Sequence, residues 1–95
     1  MMCELTIRTA SPDDLPALLA LYGQLQPDDE PVPSAVGARL LGQLSLYPGS
    51  AIFVGMRADT VVATCTLIVI PNLTRGGRPY ALIENVVADA QHRKR

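Results

Sequence analysis

The stretch Tyr80–Arg95, YALIENVVADAQHRKR, decides how the rest of the chain is read. Its first part, YALIENVVA, is dominated by aromatic, aliphatic and β-branched residues over the length of a strand, and Glu84 is its only acid. Its last four residues, HRKR, are basic. By spacing alone that run is a solvated basic terminus, and His92, the only histidine, reads as solvent-facing rather than as a ligand or base. It leaves open why a basic run should follow so closely on an apolar strand.

Upstream, NLTRGGRP (Asn72–Pro79) is a glycine-rich loop carrying Arg75 and Arg78. Before it, AIFVGMR and VVATCTLIVIP are β-rich runs separated only by Ala58, Asp59 and Thr60, the pattern of an antiparallel hairpin, with YPGS (Tyr47–Ser50) as the turn that precedes it. Ser34 is expected to cap a helix running to about Leu46, with Val36, Leu40, Leu44 and Tyr47 on one face. Gly37 and Gly42 each cost that helix about 1 kcal/mol relative to alanine, so it must lean on tertiary packing. QPDDEPVPS, with three prolines and three acids in nine residues, is a loop.

Closer to the N-terminus, Ser11 can cap another helix, with Pro12 in its first position and Asp14 placed as in a capping box. Leu15, Leu18, Leu19, Tyr22 and Leu25 then share a face, while Ala17 and Gln24 face away. Pro16 is harmless if the helix starts as late as Asp13 and sacrifices one bond if it starts at Ser11. ELTIRT (Glu4–Thr9) alternates apolar Leu5 and Ile7 with polar Thr6 and Arg8, as a half-buried strand does. The expected order is strand, helix, helix, strand, strand, strand, with no internal repeat.

Composition bounds the rest. The chain has 95 residues, 48% apolar and 18% charged, with a formal net charge of −1, which fits one small globular domain over residues 1–95. A nucleic-acid partner is not expected, because four basic residues without interleaved aromatics stand against nine acids. No apolar run approaches the roughly 20 residues of a membrane span, and acid and base come too early in MMCELTIRTA for a signal peptide. A cytoplasmic location is expected by default, with Cys3 and Cys65 as reduced thiols. No metal site is expected: there is no carboxylate cluster, and neither a Ser/His/Asp nor a Cys/His set can be assembled.

Taken together, these residues resemble the GNAT superfamily of acetyl-CoA-dependent N-acetyltransferases. The resemblance rests on a strand ending IRTA, a helix opened by PDDLPALLALY, a hairpin running into IPNLTRGGRPYALIENVV, and a closing ADAQHRKR. It is sharpest over Tyr80–Arg95, which is similar to the family's fourth strand and the start of its cofactor motif, Q/R-x-x-G-x-G/A followed by a helix. The resemblance implies a GNAT-like α/β (α+β) fold with a mixed, mostly antiparallel sheet. It also implies that Arg93, Lys94 and Arg95 form the lip of a pyrophosphate-binding loop, where backbone N–H groups and a helix N-terminus cradle phosphate oxygens. The motif's glycines would follow Arg95, so the expectation is an N-terminal half, truncated before the cofactor-loop helix.

The resemblance further implies an acyltransferase using acetyl-CoA as co-substrate. Main-chain groups of Val86, Val87 and Ala88 would pair with the pantetheine arm as with an added strand, the Val86 N–H polarising the thioester carbonyl. The valines equally fit plain core packing. Glu84, partly buried and with a pKa raised toward neutrality, would take the proton from an acceptor amine directly or through water. Its plainer role is a solvent-facing strand residue or a partner of Arg78. Asn85 is expected on the opposite side, as a structural residue. Arg75, Arg78 and Tyr80 fall where the family builds acceptor specificity, and they also fit a solvated loop. The acceptor that the resemblance implies is a small-molecule or peptide amine.

An uncovered fourth strand would leave an open sheet edge and an apolar face, so self-association is expected, as a dimer through that edge. The alternative function is a non-catalytic, shortened GNAT-like module that pairs through the same edge with itself or a partner.

Overall fold

The computed structural model describes residues 5–92. Four strands, β1 (Leu5–Thr9), β2 (Ala51–Arg57), β3 (Thr60–Ile70) and β4 (Tyr80–Ala88), lie in the order β1-β2-β3-β4. All three pairings are antiparallel. Helices α1 (Leu15–Leu25) and α2 (Ser34–Leu44) connect β1 to β2. The expected order is therefore found, and Thr60 belongs to β3 rather than to the hairpin turn. Glu4 and Cys3 lie outside the described residues, while Cys65 is a free, half-buried thiol.

The helical layer begins where the capping signal places it, but in two steps. Pro12–Asp14 form a single 3-10 turn, and α1 starts at Leu15 with Pro16 in its first turn, where a missing N–H breaks no bond. The Asp14 carboxylate accepts the Ser11 backbone N–H at 2.7 Å. It also receives both ends of the Arg8 guanidinium, at 2.7 and 2.9 Å, which pins the start of the helical layer to β1. This fork holds the nearly buried Asp14 carboxyl down at about 2, first through the Arg8 hydrogen bond, against a smaller opposing effect of burial.

Leu18 and Leu21 are the deepest side chains of α1, at 1% and 3% exposure. Leu21 is thus a core residue beyond the face read from the sequence. α2 is shorter than expected. Its cap position is Pro33, not Ser34, and it ends at Leu44. Of the expected face, Val36 and Leu44 are half-buried but Leu40 and Tyr47 are exposed, Tyr47 because it already lies in the turn after the helix. Gly37 has a packing reason: a Cβ there would come within 3.1 Å of the Leu15 side chain, so the glycine lets α2 approach α1.

The sheet carries its core on one face. Val54, Thr64 and Val87 stand in register across β2, β3 and β4, and all are buried. The Thr64 hydroxyl donates to the Phe53 carbonyl at 2.7 Å, so its burial leaves no polar group unsatisfied. The neighbouring row, Ile52, Thr66 and Glu84, lies on the same face. Ile7, Gly55 and Ala63 share the opposite face with Ala51, Leu67 and Ile83. There Ile7 is 69% exposed and Ile83 57%, an apolar surface that no element among the described residues covers.

Candidate functional site

The ladder between β3 and β4 is interrupted once. Thr66 pairs with Glu84 but Thr64 pairs with Val87, so Asn85 and Val86 both stand opposite Cys65. The inserted residue forms a β-bulge, and Asn85 takes a left-handed backbone, φ 53°. β-Branched and bulky residues resist that region, whereas asparagine visits it more readily. A bulge bends its strand and re-aims the backbone groups beside it. Here it does so on the outermost strand, whose far edge pairs with no strand among the described residues.

Around this kink the expected site residues separate. Val86 is 61% exposed, Val87 is buried beneath the helical layer and Ala88 is half-buried. Glu84 lies on the helix-bearing face beside Thr66, but it is exposed, not partly buried. It stands at the rim of an edge strand, where an apolar neighbourhood in sequence does not bring burial. It forms no ion pair with Arg78. The strict alternation that put Asn85 opposite Glu84 ends at the bulge.

Arg75, Arg78 and Tyr80 gather with Asn72 and Pro79 around an open cavity of about 260 Å³. The turn beneath it runs through three left-handed residues, Arg75, Gly76 and Gly77. This cluster is four residues along β4 from Glu84, on the order of 13 Å, so the two groups do not converge on one atom. Another cavity of about 260 Å³ does reach the kink: Leu19, Tyr22, Val32, Leu40, Thr66 and Asn85 are among its walls. An adjoining one shares Tyr22, Val32 and Asn85 and adds Asp29 and Glu30 from the loop between the helices. A larger cavity, about 350 Å³, sits between α2 and the start of β2, two strands away from β4, so size alone does not mark the site.

Beyond the kink β4 ends at Ala88, and the chain turns through a 3-10 turn, Ala90–His92. Arg93, Lys94 and Arg95 lie outside the described residues. Gln24, read from the sequence as facing away, instead bridges to this exit, donating to the Asp89 carboxylate at 2.7 Å and accepting the Ala90 N–H at 2.8 Å. No local pattern announces a contact across 66 residues. Among the described residues no helix is long and apolar enough to cross a membrane, and no cluster of His, Cys, Asp or Glu could hold a metal ion.

The fold is shared with solved acetyltransferase structures. A protein from Agrobacterium tumefaciens str. C58 assigned as an acetyltransferase aligns with 94% of this chain and 62% of its own, at 43% identity and a TM-score of 0.87. An acetyltransferase from Trypanosoma brucei aligns with 95% of this chain and 63% of its own, at 28% identity and a TM-score of 0.78. Glucosamine-6-phosphate N-acetyltransferase from Arabidopsis thaliana, at 22% identity, shares the fold over 96% of this chain and 64% of its own, with a TM-score of 0.84. Neither a protein-family model nor a curated protein sequence matches the chain. The chain is similar to these acetyltransferases and has the GNAT-like fold expected from its sequence. It spans a little under two thirds of the length of these three proteins.

Proposed function

We propose that the chain takes part in acetyl transfer from acetyl-CoA to an amine, with the kink of β4 as the reacting end of the site. The observation that carries this reading is the bulge at Asn85 and Val86 on an open strand edge. An extended amide-bearing arm can add to such an edge as a strand does, through main-chain groups of Val86, Val87 and Ala88. A pantetheine arm has that character. The kink turns the Val86 N–H away from the regular ladder, so that it can donate to the thioester carbonyl as negative charge develops on its oxygen. Arg93, Lys94 and Arg95 follow the same strand and would meet the phosphates.

The acceptor's nitrogen attacks the thioester carbonyl carbon, the C–S bond breaks, and the proton lost by the amine passes to Glu84 or to a water that Glu84 holds. We give the body of the acceptor the cavity lined by Tyr22, Val32 and Asn85, because it opens at the kink. Arg75, Arg78 and Tyr80 would then touch only an acceptor long enough to follow β4. Glu84→Gln should lower the rate of acetyl transfer at saturation by about 100-fold or more while leaving acetyl-CoA affinity unchanged. An unchanged rate would remove Glu84 from this role.

A second reading, a pairing module without catalysis, is favoured by one observation: the apolar sheet face opposite the helices is exposed at Ile83, on the same open edge. The two readings part on whether the chain binds acetyl-CoA.

A further inference from the structure

We propose that the acceptor is an extended, peptide-like amine with an acidic group about four residues from the reacting nitrogen, and that Arg75 and Arg78 hold that group. The inference rests on the reading of Glu84 and the β4 kink as the reacting end, and it names the acceptor class for that site. Before the bulge β4 alternates regularly, so Tyr80, Leu82 and Glu84 stand on one face of the sheet, the face that carries the helices. Their partners on β3, which are Ile70, Ile68 and Thr66, share that face. Tyr80 is 51% exposed and Leu82 43%, with Ile68 and Ile70 half-buried beside them. An apolar track therefore leads along the sheet from Glu84 to the start of β4.

The two ends of this track differ in charge. At the start of β4, Arg75 and Arg78 line a cavity together with Tyr80. Arg78 uses only its Nε, which donates to the Arg75 carbonyl at 3.5 Å, and among the described residues neither guanidinium meets a carboxylate. The turn that presents them is tied down: the Thr74 carbonyl accepts the Gly77 N–H at 3.0 Å and the Asn72 side-chain amide at 3.3 Å. Two guanidinium forks on one turn match a carboxylate in shape and in charge. At the other end, the cavity beside Asn85 has Asp29 and Glu30 in its walls, which suits the ammonium form in which an amine arrives. The separation of Glu84 from the arginine cluster, on the order of 13 Å, is about four residues of extended chain. A free amino acid carries its two charges too close together to meet both ends. An extended peptide reaches both and lays its middle on Leu82 and Tyr80.

The test titrates pentapeptide amides with a free N-terminal amine into the chain saturated with coenzyme A, which has no acetyl group to transfer. Binding is read by calorimetry. The peptides are alanine except for one residue: glutamate, glutamine or lysine in fifth place, or glutamate in second place. In the wild-type chain the peptide with glutamate in fifth place should bind about three- to tenfold more tightly than the other three, with the margin shrinking as salt rises. Combining Arg75→Glu with Arg78→Glu should reverse the order, so that lysine in fifth place binds best, a result that loss of folding cannot produce. Coenzyme A binding with no preference among the peptides, or a preference that the double variant keeps, would overturn the proposal and leave the coenzyme strand standing. Equal binding of the two glutamate peptides would overturn it as well, because the track would then not set the distance. If the chain does not bind coenzyme A, the reading of β4 itself fails and the acceptor assignment falls with it.

Discussion

Asn85 is where fold and proposed chemistry meet, and replacing it separates them. The residue is held at φ 53° in a strand whose ladder shifts by one between Thr66 and Thr64. An ordinary L residue forced into that region loses about 1–2 kcal/mol through the clash of its Cβ with the carbonyl oxygen. Valine, branched at Cβ, should bear the full cost. Glycine bears none but adds freedom to the unfolded chain, so the two effects roughly cancel. In urea denaturation, Asn85→Gly is therefore expected within about 0.5 kcal/mol of wild type, and Asn85→Val about 1–2 kcal/mol less stable. For a domain of this size that loss corresponds to a Tm lower by roughly 4–16 °C. Deleting Asn85 is the informative third variant. It brings Val86 alone opposite Cys65 and leaves Glu84 against Thr66 and Val87 against Thr64, a regular ladder with the buried row intact. This variant should fold, yet lose acetyl-CoA binding, because the kink that turns the Val86 N–H is gone. An Asn85→Val variant as stable as wild type would refute the assignment of the left-handed position. A deletion variant that still binds acetyl-CoA would refute the role of the bulge.

Two further expectations concern the frame. The Asp14 carboxyl, held at about 2 by Arg8, should contribute stability that is fully present above its ordinary value of 3.8 and lost as pH falls through 2. Acid titration of stability should show about 1–2 kcal/mol disappearing over that window in wild type and not in Asp14→Asn, the amount being moderated by the half-exposed Arg8 partner. A variant with the same acid profile as wild type would mean that the ion pair does not hold the helical layer to β1. The open face should drive association: sedimentation is expected to show concentration-dependent dimers that Ile7→Lys with Ile83→Lys reduces, whereas a wild-type monomer at high concentration would contradict this.

Much of the fold could be read from the sequence because its signals were local. Period-two alternation marked β1, the apolar runs around Ala58 and Asp59 marked the hairpin, and Ser11 with Asp14 marked the start of the helical layer. The bounds of α2 differ from the expected ones because its two glycines blur the helical signal and packing decides it. Gly37 against Leu15 is such a packing fact, invisible one residue at a time. The candidate site was legible in its strand but not in its shape. A run such as LIENVVA reads as a regular ladder until pairing shows the extra residue at Asn85, and pairing is a property of two strands. The exposure of Glu84 has the same origin, since an apolar neighbourhood in sequence does not tell an edge strand from a central one. The link from Gln24 to Asp89 and Ala90 depends on where α1 comes to rest on the sheet, which no stretch of sequence states.

The measurement that bears most directly on the account is a titration of acetyl-CoA into the isotopically labelled chain, followed through backbone amide signals. Saturable shifts that are largest from Asn85 to Ala88 and extend to Ala90 are the expected result, with weaker binding as salt rises and the phosphate contacts are screened. No saturable shift, or shifts confined to the cavity between α2 and the start of β2, would contradict the assignment of β4 as the coenzyme strand.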